Sequence, residues 1–276
     1  MFINKYMLDL ICISIIFICL YLILDSVEIL INIKYYGFDS PISVNKFFLR
    51  KIYYKKKTLK FIYNQKVLKT IIRLRFLISL FILGLVILQI DSFLNSLAIF
   101  ILIIFELYLR LRCQNRLSSS EHIIIFNLFC LFCTFLTKDY RILNFISLYI
   151  VICYTSNGIQ KISSVKWRTG EGLKKLLKTN IYGNKLLVSI FHENKYIYFL
   201  LSWLIILFQL TFVFFIVNPH FCVIYLCLGV LFHLFLAIFM KLKDFFLAFL
   251  SSYPFLFFTF LEIHNIPINI NYFYIF

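Results

Sequence analysis

The residues able to do chemistry are few and sit in apolar surroundings. Asp25 and Glu28 lie near the end of the first apolar run, Glu106 in the third, His122 at the start of the fourth, Lys161 just beyond the fifth and His233 deep in the seventh. A charged group in hydrocarbon is costly, so each is a functional candidate by default. Asp25, Glu28 and Glu106 fall within about two turns of a helix end, where interfacial placement or pairing with an arginine also accounts for them. His233 offers either a hydrogen bond between helices or a proton-handling imidazole. Lys161 lies one turn past Asn157-Gly158, where a membrane helix enters a loop. Desolvation there disfavours the ammonium, and a neutral amine could act as a general base. A snorkelling lysine that marks the interface would occupy the same position.

The elements that must hold these groups are membrane helices. Hydrophobic residues make up 62% of the 276 positions and include 35 phenylalanines, more than one soluble core of this size could bury. Hydropathy predicts eight spans, over 7–31, 72–89, 93–109, 122–137, 142–159, 196–217, 220–240 and 244–262. The expected fold is all-α: a polytopic transmembrane bundle forming one integral membrane domain over 1–276, with no separate soluble domain. Strands of a membrane barrel would alternate in short segments, which these continuous runs do not. The first run is too long for a signal peptide and lacks a small-residue cleavage site. Asp91-Ser92, Lys138–Arg141 and Asn218-Pro219 make three short turns. The connections 32–71 and 160–195 are long, and the first contains the basic stretch Lys51–Lys57.

The net charge of +16 is no nucleic-acid signature, because its lysines and arginines sit between the apolar runs, where membrane proteins carry them. With the N-terminus outside, the basic residues concentrate on one side, and the positive-inside rule puts 160–195 in the cytoplasm. Seven of the eight cysteines, all but Cys113, lie in apolar runs, as small buried hydrophobes do. Cys130 and Cys133 form a CxxC on a membrane helix, without the βαβ context of a redox motif. No metal-ligand spacing, phosphate-binding loop or nucleophile triad is present.

The stretch after the fifth run carries a pattern. It reads Asn157-Gly158-Ile159-Gln160-Lys161-Ile162, then Trp167-Arg168-Thr169-Gly170-Glu171-Gly172-Leu173. A membrane helix ending in small-Gly-x-x-Lys, followed by Trp-x-x-Gly-x-x-Leu, resembles the vitamin K-dependent γ-glutamyl carboxylase and its bacterial relatives, the family named for a horizontally transferred transmembrane domain. Leu24-Asp25 with Lys34–Pro41, Ser120–Ile123 around His122, and Phe232–Leu234 with Ser251–Pro254 are similar to that family in order and spacing. The resemblance implies that Lys161 deprotonates a reduced quinone, a menaquinol or vitamin K hydroquinone-like molecule. It implies that His122 and His233 position the quinol, with Trp167 and Gly158 as the cofactor-binding positions around the lysine.

The carboxylase carries a large extracytoplasmic domain after its membrane region, whereas this chain stops about fourteen residues after its last predicted helix, an expectation against carboxylation of a protein substrate. The family also places its catalytic side outside the cytoplasm, opposite to the loop charges. In size and architecture the chain is similar to the sporulation-delaying toxin maturation protein B group. That likeness implies a multi-pass protein of the bacterial cytoplasmic membrane, a secreted antimicrobial peptide as substrate and a small accessory protein as partner, beside membrane lipid and without nucleic acid. The alternative is a non-catalytic immunity or export component that needs only the packing. A transporter has little support, since no inverted repeat or matched pair of broken helices is present.

Overall fold

The computed structural model describes residues 5–36, 63–88, 93–113, 119–180, 182–192 and 194–265. The loop motif Gly37–Pro41, the basic stretch Lys51–Lys57 and the turn Asp91-Ser92 lie outside them. Among the described residues eleven α-helices run in order: α1 Lys5–Ile31, α2 Gln65–Ile87, α3 Phe93–Arg112, α4 Ser119–Thr137, α5 Asn144–Ser163, α6 Val165–Arg168, α7 Glu171–Leu177, α8 Lys185–Ile190, α9 Lys195–Thr211, α10 Pro219–Met240 and α11 Lys243–Ile263. Short 3-10 turns at Ile33–Tyr36, Tyr140–Leu143 and Phe212–Ile216 complete the described elements, among which no strand occurs. Among the described residues eight helical segments are long and apolar enough to cross a membrane. The chain is therefore an all-α, multi-pass membrane protein.

The fold comprises two compact units, Asp9–Leu143 and Met1–Leu8 with Asn144–Phe276. In the unit Asp9–Leu143, α3 packs on both α2 and α4. Helix α2 begins at Gln65, seven residues before the predicted start. Asn64 caps it by accepting from the Lys66 amide at 2.8 Å, and Leu68 and Ile72 bury one stripe while Lys66, Lys69 and Arg73 stay exposed. Hydropathy averages over that amphipathic entry and misses it. Arg112, fully buried, donates to the carbonyls of Tyr36 and Tyr63, each at 3.0 Å, and so joins the two chain segments that flank the long connection. At the exposed turn, hydrogen bonds from Arg141 to Asp139 hold the Asp139 carboxyl below the usual carboxylate range.

In the other unit, α5 packs against α9 and α11, and α10 against α11. The Thr259 hydroxyl donates to Asn144 Oδ1 at 2.8 Å and lies 2.7 Å from Ser147 Oγ, which fastens the end of α11 to the start of α5. Asn218 caps α10 by accepting from the Phe221 amide, with Pro219 following at the first helical position. The connection 160–195 is largely helical. Leu173, Leu177 and Leu187, from α7 and α8, bury against Tyr198 and Met240 near the ends of α9 and α10.

Candidate functional site

One face of α5 carries Tyr154, Asn157, Gly158 and Lys161, spaced i, i+3, i+4 and i+7. Gly158 sits where α5 crosses α9. A Cβ there would lie 2.9 Å from the Leu210 side chain and 3.0 Å from its backbone nitrogen. The small residue thus permits the approach that puts Gln209 beside Lys161. Lys161 Nζ donates to Gln209 Oε1 at 3.0 Å and to its own helix's Asn157 carbonyl at 3.5 Å, and it lies 5.2 Å from the centre of the Trp167 ring. Two of the three positions on the nitrogen are used. The third carries a proton in the ammonium and the lone pair in the neutral amine.

The residues after Lys161 fix the Trp167 ring. Gly170 has φ +80°, and a Cβ there would lie 2.5 Å from the Phe199 nitrogen, so glycine meets both a left-handed turn and a close approach to α9. The missing Cβ of Gly172 leaves room for the indole, 3.2 Å away. The Trp167 carbonyl accepts from Ser202 Oγ at 2.6 Å, and the Arg168 carbonyl from Trp203 Nε1 at 3.1 Å. The expected turn around Trp167 and Gly170 is the short helix α6 followed by this left-handed residue.

About 10 Å along α5 from Lys161, two turns towards the helix start, lies a second polar group. The hydroxyl of Tyr154 is 2.8 Å from His233 Nε2 on α10 and 2.7 Å from the hydroxyl of Tyr253 on α11. All three side chains are buried, Tyr154 stacks on Phe212, and His233 stacks on Phe249. Gly229, one turn before His233, faces the Tyr253 hydroxyl so closely that a Cβ there would displace it. His233 Nδ1 is buried without a hydrogen-bond partner among the described residues. The relay has two consistent arrangements. In one, Tyr253 donates to Tyr154 and Tyr154 donates to Nε2, with the imidazole hydrogen on Nδ1. In the other every bond is reversed and the imidazole hydrogen is on Nε2. Exchange between them releases a proton at Nδ1 and takes one up at the Tyr253 oxygen, so the trio can pass a proton with no obligate charge.

Lys161 and His233 thus belong to one unit and share α5 as their support, but they do not touch. Lys161 bonds to Gln209 and Asn157, and His233 bonds to Tyr154. His122 is half-buried in the first turn of α4, in the unit Asp9–Leu143. Sequence reasoning restricted to ionisable groups near neutrality missed Tyr154, Tyr253 and Gln209. Gln209 had a readable signal, as the one side-chain amide in the run 196–217.

The unit Asp9–Leu143 holds a polar cluster of a different kind. Fully buried Arg75 bridges two carboxylates, with Nη1 2.7 Å from Asp25 Oδ2 and Nε 2.7 Å from Glu106 Oε1. Of the accounts open for these carboxylates, pairing with an arginine is the one the structure gives. Glu28 is half-buried one turn beyond Asp25. Among the described residues no group of three or more His, Cys, Asp or Glu side chains is arranged to hold a metal, and Cys130 and Cys133 are both free thiols. No protein-family model, curated protein or solved structure matches the chain.

Proposed function

We propose that this multi-pass membrane protein is a quinol-linked enzyme of the carboxylase-like, horizontally transferred transmembrane domain family, and that it modifies or helps mature a secreted peptide. The observation that carries the reading is Lys161, a half-buried amine with an amide partner, an aromatic cover and one unfilled position on nitrogen, with the Tyr154 relay two turns deeper on the same helix face. The donor set suits a reduced quinone: a planar aromatic surface, a base and a neutral amide lie where a membrane helix meets its connecting segment.

A reduced quinone held there would supply a weakly acidic hydroxyl and reducing equivalents. Lys161 presents an amine that can take a proton, and Gln209 orients that amine by accepting one of its N–H bonds. Trp167 covers it on one side and limits the access of water. Tyr154, His233 and Tyr253 hold or pass a proton deeper along the same face.

The test compares, by mass spectrometry, the peptides secreted by the native host with the gene intact, with Lys161→Ala and with Lys161→Arg. Arginine retains a cation and much of the packing but stays protonated, so it cannot serve as a base. The proposal expects one peptide to lose a defined mass increment in both variants. Peptides unchanged in mass and amount, with the variants still resident in the membrane, would instead assign Lys161 to interfacial anchoring and favour the non-catalytic component.

A further inference from the structure

We infer that the outer face of α2 seats an anionic phospholipid, with its phosphate among Lys66, Lys69 and Arg73 and an acyl chain along Leu77, Leu80 and Gly84. The inference does not depend on the quinol reading, and the site lies wholly within the unit Asp9–Leu143.

The helical period divides α2 into two faces. Leu68, Ile72, Arg75, Ser79 and Ile82 are buried against the rest of the bundle. On the opposite side Lys66, Lys69, Arg73, Leu77, Leu80 and Gly84, spaced i, i+3, i+7, i+11, i+14 and i+18, make one continuous stripe. Its three cations are exposed, Leu77 and Leu80 are 58% and 44% exposed, and a Cβ added to Gly84 would meet no atom within 4 Å. Arg75 is taken up by the buried carboxylates, while Arg73, two residues earlier, lies on the outward face.

Depth decides what this stripe meets. Residues 74–88, whose polar members Arg75 and Ser79 face inward, cover roughly 22 Å of helix, less than the ~30 Å of a bilayer's hydrocarbon. Arg73 and Lys69 therefore stand at the rim of the hydrocarbon. Side chains lean towards the start of their helix, so both reach back to the level of Lys66 and the headgroups. Residues 63–88 contribute no acidic side chain there. Arg73 and Gly84 are eleven residues apart, about 16 Å along the helix, which is close to the hydrocarbon depth of one leaflet. A phosphate held by the cations thus lays its own acyl chain over Leu77 and Leu80 and ends it at the open surface beside Gly84. Cations at headgroup depth followed by apolar side chains on the same face match an anionic phospholipid in both charge and length. An acidic peptide would match only the charged end of the stripe.

The test places the full-length protein in nanodiscs of phosphatidylcholine with phosphatidylglycerol and measures, by native mass spectrometry, which lipids remain bound on release. Wild type should retain phosphatidylglycerol preferentially. Each cation of the stripe that is neutralised should lower that preference by up to about fivefold, the factor equivalent to ~1 kcal/mol per basic residue near an anionic surface. The variant K66Q/K69Q/R73Q should therefore lose most of it. If that variant accumulates poorly, K66Q/K69Q should show the intermediate effect. The control K138Q/K166Q/K195Q removes three exposed lysines that share no helix face and should stay close to wild type. Equal retention by wild type and K66Q/K69Q/R73Q overturns the inference, and so does an equal loss in the control, which would reduce the effect to net charge. Displacement of the bound lipid by millimolar inorganic phosphate would also overturn it by assigning the cations to a free anion, as would displacement by poly-glutamate by assigning them to an acidic peptide.

Discussion

Each unit buries a polar cluster built on an ionisable side chain in an apolar run, Arg75 with its carboxylates in one and His233 with its tyrosines in the other, and these two differ in kind. In the unit Asp9–Leu143, Arg75 is locked between Asp25 and Glu106, groups whose desolvation is offset only while all remain paired. In the other unit, Tyr154, His233 and Tyr253 form a chain of hydroxyls and an imidazole that carries no obligate charge and can reverse its bonds. A fixed ion cluster is suited to holding helices in register, whereas a reversible neutral chain is suited to moving a proton. The difference teaches that an ionisable residue in an apolar run marks a site only when its partners leave it something to do.

The largest effect expected is at the ion cluster. Arg75→Met leaves two buried carboxylates without their cation and should cost about 3–5 kcal/mol, the typical penalty for breaking a buried pair. Membrane-resident protein should fall sharply by immunoblot. Replacing all three partners together, as D25N/R75M/E106Q, should recover most of that loss and leave product formation per molecule unchanged. A triple variant that is stable but inactive would break the comparison by giving the cluster a chemical role.

Next in size is Gly229→Ala. The added methyl pushes the Tyr253 hydroxyl out of place and should cost about 1–3 kcal/mol by overpacking. Thermal unfolding in detergent should report it, and Tyr253→Phe in the same chain should recover part of the loss. Tyr253→Phe alone should cost about 1 kcal/mol or less, as single hydrogen bonds between membrane helices do, while lowering product per molecule far more than that loss of stability predicts. The smallest effect is expected at the exposed Asp139–Arg141 pair. Because Arg141 holds the Asp139 carboxyl below its usual range, any stability it adds is present above about pH 4 and fades as pH falls further. Asp139→Asn should leave the unfolding temperature at neutral pH unchanged.

These contrasts also indicate what the amino-acid sequence makes legible. Eight spans follow from hydropathy because lipid demands long apolar helices, and Lys161 stands out because charge interrupts such a run. Its partner Gln209 does not stand out to a search for titratable groups, and Tyr154 and Tyr253 are hidden among 18 tyrosines. The pairing of Arg75 with Asp25 joins residues 50 positions apart, a contact that periodicity cannot supply. The segment 160–195 looked like a loop because its helices are too short for an amphipathic repeat to emerge. Only the burial of Leu173, Leu177 and Leu187 against α9 and α10 reveals them.

The central claim is that the unit containing α5 handles protons and the Arg75 cluster only holds structure. The most direct measurement is the amount of modified secreted peptide per molecule of membrane-resident protein, determined in the native host for wild type, Lys161→Arg, Tyr154→Phe and D25N/R75M/E106Q. The account predicts a loss of at least about tenfold in the first two variants, within the range of about 10²–10⁴ that general acid–base groups contribute, and a ratio near wild type in the third. A wild-type ratio for Lys161→Arg and Tyr154→Phe, with loss confined to the Arg75 cluster, would contradict it.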